Sequence, residues 1–165
     1  MALTWLEFEK SSLTQKIIHE LKYQKNPGIG LLLGRIIGQR FKILLKAEGV
    51  DLIVPVPLHW KRKVHRTYNQ AETIAKGISR ESDICYSGKF LKRIRQTPTQ
   101  TTLNRHQRWL NMEEVFRVGH KSEAPKHVLL VDDVITTGAT MESCINAISK
   151  KVDCDFSVLS LARST

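Results

Sequence analysis

The run VLLVDDVITTGAT, residues 128–140, sets Asp132 and Asp133 behind an apolar stretch and follows them with Thr136, Thr137, Gly138, Ala139 and Thr140. Two neighbouring carboxylates repel, so a chain that keeps them together needs hydrogen-bond donors or a divalent cation to offset the charge. Carboxylates accept hydrogen bonds from vicinal hydroxyls. Three threonine hydroxyls, a flexible glycine and the amides that open a helix form a cradle for a phosphate dianion. One ligand that carries hydroxyls and a phosphate about one sugar apart satisfies both halves, and a sugar phosphate is such a ligand. Asp132 and Asp133 would take its hydroxyls, and residues 136–140 its phosphate.

Two blander readings compete. A lone acidic pair is as readily a solvated turn ahead of a threonine-rich helix cap, but the length and order of the features here favour a ligand. A receiver-type phosphorylation domain also carries an acidic pair after an apolar strand, near its N-terminus. Only about thirty residues follow Asp133 here, too few for that fold's remaining strands and crossovers.

Further candidate groups lie in basic stretches. No acid occurs between Asp51 and Glu72 or between Asp83 and Glu113. The first stretch holds Lys61, Arg62, Lys63 and Arg66, and the second holds Arg95, Arg105 and Arg108. His59, His65 and His106 lack an obvious carboxylate to orient them as acids or bases and read as surface histidines. Trp60 and Trp109 have the shape to stack on a nucleobase, yet tryptophans beside helices more often pack onto the fold.

The elements that must position these groups can be read from periodicity. Leu13, Ile17 and Leu21 are four apart behind two serines, an amphipathic pattern that Asn26-Pro27-Gly28 breaks. Apolar residues from Ile29 to Ala47 recur at helical spacing and predict a second, largely buried helix. DLIVPVPL reads as a buried strand closed by Pro55 and Pro57. NQAETIAKGIS predicts a helix with Ala71, Ile74, Ala75 and Ile78 inward. Cys85 to Ile94 supplies one or two strands, and RQTPTQTTLNRHQR an irregular segment. A strand at 127–132, a helix from about Ala139 to Lys150 and a strand from Asp155 to Ala162 close the chain. Strands alternating with helices predict an α/β fold whose mostly parallel sheet is covered on both faces.

The 165 residues suit one domain with its own core, residues 1–165 without an internal linker. A formal charge of +10 predicts a surface that attracts anions without choosing among nucleic acid, acidic lipid and phosphorylated metabolites. No apolar run reaches the roughly 20 residues of a membrane span, and MALTWLEFEKSS lacks a basic leader, so a soluble, cytoplasmic protein is expected. Cys85, Cys144 and Cys154 are scattered without a CxxC spacing, which predicts reduced, mostly buried thiols.

The 128–140 run resembles the phosphoribosyl pyrophosphate motif of type I phosphoribosyltransferases. IIHELKY, DLIVPVPLHWKR, YNQAE, TPTQTTLNRHQRWLNMEEVF and LSLAR resemble the ComF-type branch of that family, which is linked to bacterial competence. The likeness runs over nearly the whole chain. Two departures are plain: the cysteine-rich zinc-binding segment with which such proteins commonly begin has no counterpart, and Thr67 stands where the family pattern has glycine.

The resemblance implies a type I phosphoribosyltransferase-like fold with a flexible hood loop. It implies transfer of a phosphoribosyl group to an acceptor the sequence does not name, with Asp132 and Asp133 on the ribose as the catalytic pair. Thr136, Thr137, Gly138, Ala139 and Thr140 would hold the 5′-phosphate, and Pro57, Leu58, His59, Lys61 and Arg62 the pyrophosphate. Arg95, Gln100, Arg105 and Arg108 would belong to the hood, and Arg66, Asn69 and Gln70 would orient ligand or cap a helix. The implied cofactor is Mg2+, held through ligand and water with Asp132 or Asp133 as candidate donors. Expected partners are phosphoribosyl pyrophosphate or a related sugar phosphate, with nucleic acid, competence-machinery proteins and a homodimer as further candidates. The alternative function is a non-catalytic ligand-binding or single-stranded-DNA-binding accessory of DNA uptake.

Overall fold

The computed structural model describes residues 2–8, 16, 19–21, 26–58, 68–94, 115–119 and 124–164. The expectations for residues 59–67 and 95–114 lie outside these. Strand β1 is Ala2–Phe8, followed by helix α1 (Pro27–Ala47), strand β2 (Leu52–Pro55) and helix α2 (Gln70–Ser82). Then come β3 (Cys85–Tyr86), β4 (Leu91–Arg93), β5 (Phe116–Val118), β6 (His127–Ile135), helix α3 (Ala139–Ser149) and β7 (Asp155–Ser164).

β1, β7, β6, β2 and β3 form, in that order, a sheet in which every pairing is parallel. β4 and β5 make a separate antiparallel ribbon. α1 and α2 cover one face, where Ile37, Leu45, Ile74 and Ile78 pack with Ile53, Leu129, Val131, Leu159 and Leu161. α3 and the ribbon cover the other, where Met141, Cys144, Ile148, Phe90, Leu91 and Phe116 pack with Val54, Val128 and Leu130. β2 and β6 therefore bury both faces, which is why LIV and VLLV run apolar without alternation. The predicted α/β architecture stands, and no helix among the described residues is long and apolar enough to cross a membrane.

Several details differ from expectation. β1 was not legible in MALTWLEF, although it pairs with β7 from Ala2↔Val158 to Phe8↔Ser164. α1 starts at Pro27, not Ile29, because Asn26 caps it by accepting from Gly28 N at 2.9 Å and proline is suited to the first helical position. Nor is α1 largely buried. Its inward stripe is Gly30, Gly34, Ile37, Gly38 and Leu45, while Leu32, Ile36, Ile43 and Leu44 are exposed. The glycines let α1 lie directly on α2: a Cβ on Gly34 would run into the carbonyl oxygen of Ile74. At the rim Arg35 meets Glu81 and Lys42 meets Asp83, each at 2.6 Å. Lys42 holds the Asp83 carboxyl below its usual range, first by hydrogen bond and then by charge. Cys85 is exposed, unlike the buried Cys144, and neither forms a disulfide.

The amino ends of the strands are tied by polar contacts that the sequence did not announce. Asp51 accepts from Lys126 N at 2.8 Å and from His127 N at 3.2 Å. His127 is buried, with Nδ1 2.8 Å from Glu48 O and Nε2 2.8 Å from Ser157 Oγ. A carbonyl only accepts, so Nδ1 carries the proton and Nε2 accepts from the serine in the neutral ring. This histidine is a fastener at the end of the sheet remote from the acidic pair.

Candidate functional site at the carboxyl ends of β2 and β6

The chain leaves β2 through α2 to β3 on one side, and leaves β6 through α3 to β7 on the other. α2 and α3 lie on opposite faces, so the strand order reverses between β2 and β6. Open α/β sheets bind ligands in the crevice at such a switch point, outside the carboxyl ends of the strands. Val131 pairs with Pro55, and Val56 N donates to Val131 O at 2.8 Å, so the two exits from the sheet run side by side. Pro57 and Leu58, half-buried, thus leave β2 next to Asp132.

The acidic pair does not mark the end of its strand. β6 continues to Ile135, with Asp132↔Ser160, Val134↔Ala162 and Ile135↔Arg163 in register with β7. It does mark the place where β6 outruns β2, whose last partner is Val131. Asp132 and Asp133 are half-buried, and Asp132 Oδ1 accepts from Asp133 N while Asp133 Oδ1 accepts from Val134 N, both at 2.8 Å. Each carboxylate therefore leans on the amide that follows it.

Thr136, Thr137, Ala139 and Thr140 are exposed, with Gly138 between them at φ 78°, a backbone that side-chain-bearing residues rarely adopt. Gly138 is also the N-cap of α3 and brings no capping side chain. Thr137 Oγ1 accepts from Ala139 N at a long 3.4 Å. The entrance of α3 is thus an exposed turn of helix amides and hydroxyls that follows the two carboxylates along the chain.

Asn69 and Gln70 are placed differently from expectation. Asn69 is the N-cap of α2 but makes no side-chain cap bond; its Nδ2 donates to Val56 O at 3.0 Å instead. It fastens the start of α2 to the exit of β2. Gln70 is buried, and its Nε2 reaches Leu21 O at 3.5 Å. The Tyr68 hydroxyl donates to the same carbonyl at 2.6 Å, and burial pushes its phenol up. These side chains hold backbone. His59, Lys61, Arg62, Arg66, Arg95, Gln100, Arg105 and Arg108 lie outside the described residues. The strands on either side of residues 95–114, β4 and β5, are paired across Arg93↔Phe116.

Two groups near the acidic pair escaped the sequence reading. Cys144 on α3 is buried, and burial pushes its thiol up; the Asp132 carboxylate adds to the rise and Arg93 opposes it. The Arg93 guanidinium carbon lies 5.3 Å from the centre of the Phe116 ring. Ser160, wholly buried, sits across the ladder from Asp132. The available signal was a serine inside the apolar run VLSLA.

No protein-family model matches the chain. It is 33% identical over 153 residues to Competence protein F of Haemophilus influenzae, covering 90% of this chain and 67% of that protein. It is 30% identical over 131 residues to DNA utilization protein YhgH of Salmonella typhi, covering 76% of this chain and 56% of that one. The chain thus spans only about half to two thirds of the length of these curated relatives. Among solved structures, adenine phosphoribosyltransferase from Leishmania donovani aligns with a TM-score of 0.48 at 14% identity, over 98% of this chain and 83% of that one.

Proposed function

The chain belongs to the family of Competence protein F, and on that premise we propose that its switch-point crevice binds phosphoribosyl pyrophosphate and transfers the phosphoribosyl group to an acceptor. The observation that carries this reading is the junction of Asp132 and Asp133 with the open Thr136–Thr140 turn, beside the exit of β2. One pentose phosphate would engage the carboxylates with its hydroxyls and the turn with its phosphate.

Transfer displaces pyrophosphate from the anomeric carbon through a transition state in which the sugar ring gains positive charge. Asp132 and Asp133 accept from the ring hydroxyls and orient the pentose. Their charge also lies beside the ring where positive charge develops, which lowers the barrier. The amides and hydroxyls at the entrance of α3 hold the 5′-phosphate, with the positive end of the helix facing it. The β2 exit, Pro57 and Leu58, leads into the stretch likened to a pyrophosphate loop.

Magnesium, when bound, would counter the charge accumulating on the leaving group. The donor set fits it: Mg2+ is typically held by one or two carboxylates plus phosphates and water. Asp132 and Asp133 offer that number, and no three His, Cys, Asp or Glu side chains gather into a metal cluster among the described residues.

Calorimetry with phosphoribosyl pyrophosphate and magnesium should show binding that Asp132→Asn with Asp133→Asn abolishes. Binding unaltered by the double change would defeat the proposal. Transfer itself is read by pyrophosphate release against a panel of nucleobases and amines.

A second reading draws on the formal charge of +10 and on the names of the relatives, which concern competence and DNA utilization. Here the protein is an accessory that binds the sugar diphosphate or single-stranded DNA and transfers nothing. It expects silence on the whole acceptor panel and DNA affinity that falls steeply with salt. Absence of DNA binding at low salt would remove its nucleic-acid arm.

A further inference from the structure

We propose that Ser160 is a positioning residue for Asp132, its hydroxyl reserved for the carboxylate in the ligand-bound protein; this rests on the pentose-phosphate reading of the site. Ser160 is 0% exposed, and among the described residues its Oγ meets no hydrogen-bond partner. Buried hydroxyls nearly always find a partner, because an unmet one forfeits the water it left behind. A buried donor without a partner in one state therefore points to a partner in another.

The fold says which partner. Ser160 on β7 is in register with Asp132 on β6. In-register residues project from the same face, and paired strands run about 4.8 Å apart, a gap that a serine and an aspartate side chain together span. Asp132 Oδ1 accepts from Asp133 N at 2.8 Å. When pentose hydroxyls donate to this carboxylate, it must turn from its own backbone toward the crevice. A carboxylate has about four lone-pair sites, so it can take a donor from behind as well as those of the ligand. Ser160 supplies one from behind, across the ladder. The hydroxyl does not touch ligand; it fixes the angle at which Asp132 meets it.

The test compares wild type with Ser160→Ala and Ser160→Cys, the latter similar in volume but a weak donor. Affinities for ribose 5-phosphate and inorganic phosphate are measured by calorimetry, together with melting temperature. Both variants are expected to melt no lower than wild type and to keep its affinity for inorganic phosphate. Both should bind ribose 5-phosphate roughly tenfold more weakly, the loss of one hydrogen bond to a charged group. Wild-type affinity for ribose 5-phosphate in Ser160→Ala would overturn the inference while leaving the pentose-phosphate reading intact. Equal losses for both ligands would overturn it as well, since they indicate damage to the fold. Failure of wild type itself to bind ribose 5-phosphate would overturn the reading of the site and this inference with it.

Discussion

Asp132 and Asp133 answer their mutual repulsion one residue at a time, each accepting from the next backbone amide at 2.8 Å. Such local bonds are easily exchanged for other donors, and both carboxylates are half-buried, with Asp133 Oδ2 shielded from solvent. Gly138 does a different task at the same scale. Its φ of 78° turns the chain from β6 into α3, and a Cβ there would meet nothing within 4 Å. Gly138→Ala should therefore cost only backbone strain, about 1–2 kcal/mol. Thermal melts should show that loss, with Gly138→Asn falling less because asparagine visits this conformation more readily. An alanine variant that melts like wild type would contradict the account of the turn. The acidic pair, the threonines and this glycine were legible in the sequence because their chemistry is local. Ser160 and His127 were not, since only the register of distant strands shows what faces a buried polar side chain.

Helix α2 was legible as an element because Ala71, Ile74, Ala75 and Ile78 repeat at helical spacing, and all four are buried. α1 misled, since apolar residues lie on both of its faces and glycines form much of the stripe that packs. Close approach of two backbones leaves little side chain to read. Gly34→Ala would press a methyl group into the Ile74 carbonyl and should destabilise by about 1–3 kcal/mol, as overpacking does. Ile43→Ala, at a position 85% exposed, should stay within about 0.5 kcal/mol. Chemical denaturation of the two variants checks this, and equal stability would contradict the proposed helix contact. β1 was illegible for another reason: residues 2–8 are a strand by virtue of pairing with β7 at the far end of the chain. The length of β6 was misjudged likewise, because the partner that extends it past Asp132 is β7.

For the whole molecule, the decisive feature is the reversal of strand order between β2 and β6, which brings two chain exits side by side at the carboxyl ends of these strands. Alternating strands and helices predicted a parallel sheet but not its strand order, and so could not say which loops would meet. The formal net charge of +10 gives the molecule a field that favours anions, screened beyond about 8 Å at physiological ionic strength. On the proposed reading, charge draws the ligand near and the acidic pair with its neighbouring turn selects it. The most direct measurement is a crystal structure of the protein soaked with phosphoribosyl pyrophosphate and magnesium. The account predicts pentose hydroxyls within hydrogen-bond distance of Asp132 and Asp133 and the 5′-phosphate against Thr136–Thr140. A ligand seated elsewhere, or a crevice closed by the protein's own side chains, would contradict it.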